Sequence, residues 1–439
     1  MTLQHVRKKI RKWVVNHLGG AQSLRRKALF GGGWLLGRSV ALGAIDLTRT
    51  AVFARVLEAH DYGVMALVTM VSGMLNAFTF LGLDVLIQRD GEGADNHFPV
   101  YWTIKMIRAC ICFITAQVLA IPLAAYYEQP KLVFLIRLMS ILFFIEGVAG
   151  FGKEKCQQRM QFGRLVRTEV ILTVVSFGLG TAAVFRFRNV TALVINQLMT
   201  VSVQLGISYI LFPWKPKIGW DRAVFKRVLL FSSSVIAINI LNYIHTSFDR
   251  ATVGKLFSME TLGFYARGHF LSQIPVTYFS MIIAPVFMPA YKKIGDDPVR
   301  LRKALFKVMI IYAAFFVLLG GGIAVWARTF ILIVYGEKWL PVLPVFRILL
   351  IYGVSKSIVS ACQPVFFLLD KPWIISINAG IMVAIFCSLC VPLTKKYGIE
   401  GTAWSIVAGA LVAQSISVIE AFGLTFMKSK VKTGDEKDG

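Results

Sequence analysis

The chain has 439 residues, of which 56% are hydrophobic and only 16% charged. With a mean hydropathy of +0.66 it carries too little polar surface for a soluble globular domain. Its formal net charge of +25 does not point to nucleic acid, because the cations fall between apolar runs instead of gathering on one soluble face.

Taken in order, a basic segment (1–27) is followed by apolar stretches of the roughly 20 residues that a bilayer crossing requires. These are spans 1–6, at 28–56, 61–88, 99–126, 131–151, 168–186 and 190–212. A basic linker (213–227) separates them from spans 7–12, at 228–254, 261–290, 305–327, 339–369, 372–394 and 399–426, and a charged tail occupies 427–439. The expected fold class is therefore all-α integral membrane, with about twelve transmembrane helices. Span 1 is not a cleaved signal peptide, since it carries Arg38, Asp46 and Arg49 and lacks a small-residue cleavage pattern. If the N-terminus is cytoplasmic, about thirty basic loop and tail residues fall on that side and about eight on the other, so both termini are expected in the cytoplasm. Trp34, Trp102, Trp214, Trp326, Trp339 and Trp373 lie near span ends and read as interfacial anchors.

One corner occurs twice. "ARVLEAHDYGVMA" (54–66) and "GKLFSMETLGFYA" (254–266) both close one span and open the next, with Arg55 matching Lys255, Gly63 matching Gly263 and Ala66 matching Ala266. "LIRLM" around Arg137 and "VFRIL" around Arg347 repeat at offset 210, and "TALV" and "TAWS" at offset 211. The chain thus reads as an N-lobe (28–212) and a C-lobe (228–426) of six spans each. Because six is even, the lobes are a parallel repeat about an axis along the membrane normal, an arrangement that places a substrate site between them.

Ionisable residues inside a membrane are costly and mark function by default. The spans hold Arg38, Arg49, Lys105, Arg108, Arg137, Arg250, Arg267, Arg347 and Lys356 against Asp46, Asp84, Glu146, Asp249 and Glu420, an excess of positive charge. At 100° per residue, Arg38, Asp46 and Arg49 share an arc of about 80° on span 1. Asn239, Asn242, Thr246, Asp249 and Arg250 share about 100° on span 7. His269, Gln273, Thr277 and Ser280 share a face of span 8, and Tyr352, Lys356, Ser360 and Gln363 one of span 10. These four stripes are expected to line one cavity. Candidate substrate contacts are Arg38, Arg49, Asn239, Asn242, Arg250, Arg267, His269, Gln273, Lys356 and Gln363. Candidate ion pairs are Arg137 with Asp46 and Arg347 with Asp249, while Arg49 and Asp249 form a candidate gate across the lobes. Glu146 and Lys356 are repeat equivalents at offset 210. Competing structural readings stay open: snorkelling for Lys105, Arg108 and Arg267, a hydrogen-bonded core position for His269, and helix-to-helix glue for the polar stripes. Scattered cysteines and histidines form no metal-ligand cluster, and neither a cofactor nor a catalytic residue is expected.

The stretches "FARVLEAHDYGVMALV", "FLGLDVLIQRD", "QQRMQFGRLVRTEV" and "FDRATVGKLFSMETLGFYARGHFLSQIP" resemble the polysaccharide-transport flippases, the Wzx-like branch of the multidrug/oligosaccharidyl-lipid/polysaccharide exporter superfamily. The resemblance covers nearly the whole chain. It implies two lobes around a central cavity in a bacterial inner membrane. It also implies alternating-access transfer of a polyprenyl-pyrophosphate-linked oligosaccharide to the outer leaflet, for surface polymers such as O-antigen or exopolysaccharide. Expected partners are that lipid-linked substrate, membrane lipids and other polysaccharide-assembly proteins, without nucleic acid. The alternatives are a multidrug or cation antiporter of the same superfamily, which should favour cavity carboxylates, and a membrane enzyme of glycan assembly, which should carry a large external loop or an acidic pair.

Overall fold

The computed structural model describes residues 19–159, 161–274, 298–369 and 371–435. Among these residues the regular elements are all helical, as suits a chain that must pair its backbone within hydrocarbon. The first half contains α1 (Gly19–Val56), α2 (Ala59–Phe78), α3 (Leu83–Asp90), α4 (Phe98–Tyr126), α5 (Lys131–Met139), α6 (Ile141–Val148), α7 (Gly152–Gln158), α8 (Phe162–Phe187) and α9 (Val190–Leu211). The second contains α10 (Arg222–Leu256), α11 (259–274), α12 (Pro298–Val325), α13 (Ala327–Val334), α14 (Leu343–Ser360), α15 (Gln363–Leu368) and α16 (Trp373–Asp435). Seven described helical stretches are long and apolar enough to cross a membrane, or up to nine if each of two bent pairs is one span.

Several expected spans are interrupted for visible reasons. Span 2 stops at Phe78, because the chain turns through Gly82 at φ 62° before the polar α3. Span 4 divides into α5 and α6, with α7 bent 46° away from them. The Lys105 ammonium donates to the Ala149 carbonyl at 2.7 Å there, pairing a group freed by the bend. Span 10 breaks between α14 and α15. Spans 11 and 12 are joined in α16 but divided at Gly398 (φ 64°, ψ −147°), a conformation essentially restricted to glycine. Asp221 caps α10 by accepting from the Ala223 and Val224 amides, so the helix that carries span 7 begins at Arg222, within the segment 213–227. The later part of span 8, with Pro275, Pro285 and Pro289, lies outside the described residues.

Within the first lobe α8 packs on α9 and α1, and α4 on α5 and α6; within the second, α16 packs on α14, α12 and α10. The lobes meet chiefly where α10 lies along α2, with the Tyr243 hydroxyl donating to Met70 O (3.0 Å) and Ser232 Oγ to Leu81 O (2.9 Å). One buried apolar cluster runs through both lobes, from Val64 and Val68 to Leu262, Phe346 and Phe386.

The doubled corner closes one end of this interface. In the first copy the Glu58 amide donates to Asp61 Oδ2 (3.2 Å), and in the second the Thr261 amide donates to Ser258 Oγ (3.2 Å). The two glycines explain the repeat. A Cβ on Gly63 would stand 1.7 Å from the Met259 carbonyl oxygen, and one on Gly263 would stand 1.8 Å from that of Ala59. Since 59 and 259, like 63 and 263, are offset by 200, the corners are reciprocal partners, the pattern a two-fold axis imposes. Their cations cross reciprocally too: Arg55 Nη2 reaches Ile333 O (2.6 Å) and Lys255 Nζ reaches Tyr126 O (2.7 Å). Trp339 joins this seal instead of anchoring in an interface. It is fully buried and donates to Ala54 O (2.8 Å), packing edge-on against Tyr62 and Phe264.

Candidate functional site

Immediately below the corner seal lies a cavity of about 280 Å³ whose polar lining comes from both lobes: Arg49, Asn196 and Gln197 from the first, Arg250 and Arg267 from the second. At 1.5 Å per residue the three arginines stand about 9–12 Å from the corner ends of α1, α10 and α11. Arg49 pairs with Asp46 one turn away. Arg267 lies over the Tyr62 ring, 3.7 Å from its centroid, a cation–π contact that holds it at the cavity. Arg250 Nε and Asn196 Oδ1 are buried without hydrogen-bond partners. Among the described residues no carboxylate belongs to the lining.

Asp249, beside Arg250 in sequence, faces elsewhere. It is fully buried and accepts from Tyr265 Oη (2.8 Å), the Arg250 amide (2.7 Å) and, with the proton on that nitrogen, His269 Nδ1 (3.1 Å). His269 is thus a hydrogen-bonded interior histidine. The Arg49–Asp249 gate is not formed in this structure, because each group is already satisfied within its own lobe.

A second cavity, of about 250 Å³, lies wholly within the C-lobe. Asn242, His245, Tyr352, Lys356, Ser360 and Gln363 line it, with Asn378, Gln414 and Ser417 contributed by α16. The span 10 stripe therefore does share one cavity, whereas the four stripes together do not. Span 1 contributes Arg49 to the interlobe cavity, and span 7 contributes Arg250 there and Asn242 to the C-lobe cavity. Asn239 and Gln273 line neither of these two cavities, and Thr277 and Ser280 lie outside the described residues.

The remaining candidates are satisfied within the fold or exposed. Arg38 makes a two-point ion pair with Glu169 (2.6 Å each). Lys105 and Arg108 have partners in the fold, Lys105 donating to the Ala149 carbonyl and Arg108 to Asn76 and to Thr79 Oγ1 (3.0 Å), and both line a cavity of about 170 Å³ in the first lobe together with Asp84 and Glu154. Glu146 lies in the electrostatic neighbourhood of both. Arg137 is exposed and Arg347 donates to Ala324 O (3.2 Å), so neither makes its expected pairing with Asp46 or Asp249. Sequence reasoning missed Glu169, a lone acid within span 5 that should have been paired with span 1. It also missed Tyr62, Asn196 and Gln197, ordinary polar positions with no periodic signal.

Comparison with known proteins agrees with this architecture. A sequence model of the family described as polysaccharide biosynthesis protein matches residues 52–344. The chain is 27% identical to an uncharacterized membrane protein in the cps region of Klebsiella pneumoniae, covering 76% of this chain and 70% of that one. It is 22% identical to the lipopolysaccharide biosynthesis protein WzxC of Escherichia coli (strain K12), covering 76% and 69%. Among solved structures, the lipid II flippase MurJ in an inward closed conformation superposes with a TM-score of 0.71 over 90% of this chain and 91% of that one, at 13% identity; this likeness is one of fold.

Proposed function

The chain belongs to the polysaccharide biosynthesis protein family, and we propose that it is a flippase carrying a polyprenyl-pyrophosphate-linked oligosaccharide from the inner to the outer leaflet of a bacterial inner membrane. The observation that carries this reading is the interlobe cavity, where three guanidinium groups meet with no carboxylate among the described lining residues. Sugar hydroxyls and a pyrophosphate cannot enter hydrocarbon unpaired, and guanidinium is the side chain best shaped to bind phosphate oxygens at two points. The site lies between lobes whose rocking would expose it to either leaflet. With both termini cytoplasmic, the corner seal faces outward, and transfer ends when the two corners separate. An antiporter of cations would turn a carboxylate towards this space, but Asp249 is held by Tyr265 and His269.

An anionic head group leaving a negative interior moves down the electrical gradient, by ~2.3 kcal/mol per charge per 100 mV. In proteoliposomes with a fluorescent lipid-linked oligosaccharide, the fraction on the positive side should rise with an imposed potassium diffusion potential at constant pH. Arg49→Ala and Arg250→Ala should each slow transfer strongly. Normal transfer by both variants at matched incorporation would overturn the assignment of the head-group site.

A further inference from the structure

The C-lobe cavity has a chemistry of its own that head-group binding leaves unused. Lys356 forms no ion pair among the described residues; its ammonium lies 5.6 Å from the Tyr352 ring centroid. Three buried polar atoms of the lining have no hydrogen-bond partner: His245 Nδ1, Asn378 Oδ1 and Gln414 Oε1. The Asn378 orientation is chemically determined. Its Nδ2 donates to Ser417 Oγ (2.8 Å) and Glu420 Oε2 (2.6 Å), and an ionised carboxylate can only accept, so the amide oxygen is the atom left open. His245 is likewise oriented by its Nε2 contact with the Tyr352 hydroxyl (3.1 Å), which leaves Nδ1 unpaired. Asn378 is 5% exposed, and leaving such a group unsatisfied is costly enough that a ligand or water is expected to complete it.

We propose that this cavity is a carbohydrate subsite selecting a sugar residue that bears a carboxylate. Within the reading of the protein as a carrier of lipid-linked glycan, it names the substrate class: an acidic oligosaccharide. Two open amide oxygens accept from sugar hydroxyls, the histidine nitrogen takes a third polar contact, and the single ammonium meets a single negative charge. A pyrophosphate is better served by the three arginines of the interlobe cavity. A metal cation is disfavoured by Lys356, and a lipid tail by the amide walls. A volume of about 250 Å³ suits one monosaccharide. The rim residues Asn242, Lys356 and Gln363 are exposed, which gives the sugar a polar entrance.

The full chain in detergent would be titrated, with saturation-transfer NMR as readout, against a glucuronosyl-glucose disaccharide and its neutral glucosyl-glucose counterpart. The acidic sugar should bind about tenfold more tightly. Lys356→Met should abolish that preference and Lys356→Arg should retain part of it, while Gln414→Leu should weaken both sugars alike. Inorganic pyrophosphate, measured in parallel, should lose affinity in Arg250→Ala and keep it in Lys356→Met. Equal binding of the two sugars, a preference that survives Lys356→Met, or no binding of either at tens of millimolar would overturn the subsite. Pyrophosphate binding that Arg250→Ala does not change would instead overturn the head-group reading.

Discussion

The cavity between the lobes and the cavity inside the C-lobe are similar in volume, about 280 and 250 Å³, but they differ in kind. The first concentrates charge: three arginines, one already paired with Asp46 and one laid on an aromatic ring. The second concentrates hydrogen-bonding capacity around one lysine. The N-lobe holds a smaller cavity, of about 170 Å³, in which Lys105 and Arg108 share the lining with Asp84 and Glu154; its cations have partners within the lobe, Arg38 in Glu169, Lys105 in a backbone carbonyl and Arg108 in Asn76 and Thr79. A parallel repeat thus keeps its packing symmetric, down to the reciprocal glycines, and makes its chemistry asymmetric. Both cavities hold buried polar atoms without partners: Arg250 Nε and Asn196 Oδ1 in the first, and His245 Nδ1, Asn378 Oδ1 and Gln414 Oε1 in the second.

The largest expected effect separates the two cavities directly. Arg250→Met should reduce affinity for a pyrophosphate-bearing lipid by 2–5 kcal/mol, roughly 30-fold or more, as for loss of a desolvated charged contact. Lys356→Met should change it less than about threefold, by the same logic applied to a residue outside that cavity. Calorimetric titration of the two variants checks this, and similar losses in both would merge the cavities into one site.

Next in size is the seal. Gly63→Ala drives a methyl into the Met259 carbonyl and should destabilise the corner-closed form by about 1–3 kcal/mol. A cysteine at Asn196, in the interlobe cavity, should then label faster from the corner side, whereas one at Gln414 should label at an unchanged rate. Equal acceleration at both would mean that the corner controls both cavities.

Glu169→Gln tests whether the N-lobe cations are structural. Loss of a two-point charged hydrogen bond should cost about 1–3 kcal/mol in thermal unfolding, with the interlobe pyrophosphate affinity retained. A selective loss of affinity would place Arg38 in the substrate path.

The smallest effect concerns the opposite end of the interface, outside the spans, where Arg227 of α10 donates twice to Asp90 (2.5 and 3.1 Å) and Tyr101 Oη once (2.9 Å). Burial would raise the Asp90 pKa, but these donors and the nearby guanidinium outweigh it and hold it below the ordinary carboxylate value. A depressed carboxylate contributes stability above its unfolded pKa of about 3.9 and loses it as pH falls through the lower folded value. With Arg227 half-exposed the contribution is about 1 kcal/mol or less. Hydrogen exchange of α3 and the start of α10 should be equally slow relative to intrinsic rates at pH 7 and 5. It should rise only below about pH 4, and Asp90→Asn should raise it already at pH 7.

Much of this design was legible along the chain. Apolar runs, the doubled corner and the excess of cations depend on composition and spacing, and a bilayer imposes length and internal pairing on any helix that crosses it. The span 10 stripe was legible for the same reason: one helical face carries it from Tyr352 to Gln363. Depth and repeat offset did not suffice for partners. Asp46 is nearest to its own neighbour Arg49, and Asp249 is taken by two donors from α11, because a buried charge is satisfied by whatever polar group the local packing brings within about 3 Å.

By itself, the sequence determined the class of fold, the two-lobe repeat and the residue types available for binding an anion, all of which follow from local periodicity and from the cost of polar groups in hydrocarbon. Only the tertiary structure decided which cations remain open and which are closed into ion pairs, that Trp339 seals the lobes, and that the polar stripes divide between two cavities. Those outcomes depend on how far apart distant segments come to lie, and a few ångströms separate a satisfied guanidinium from one left facing a cavity.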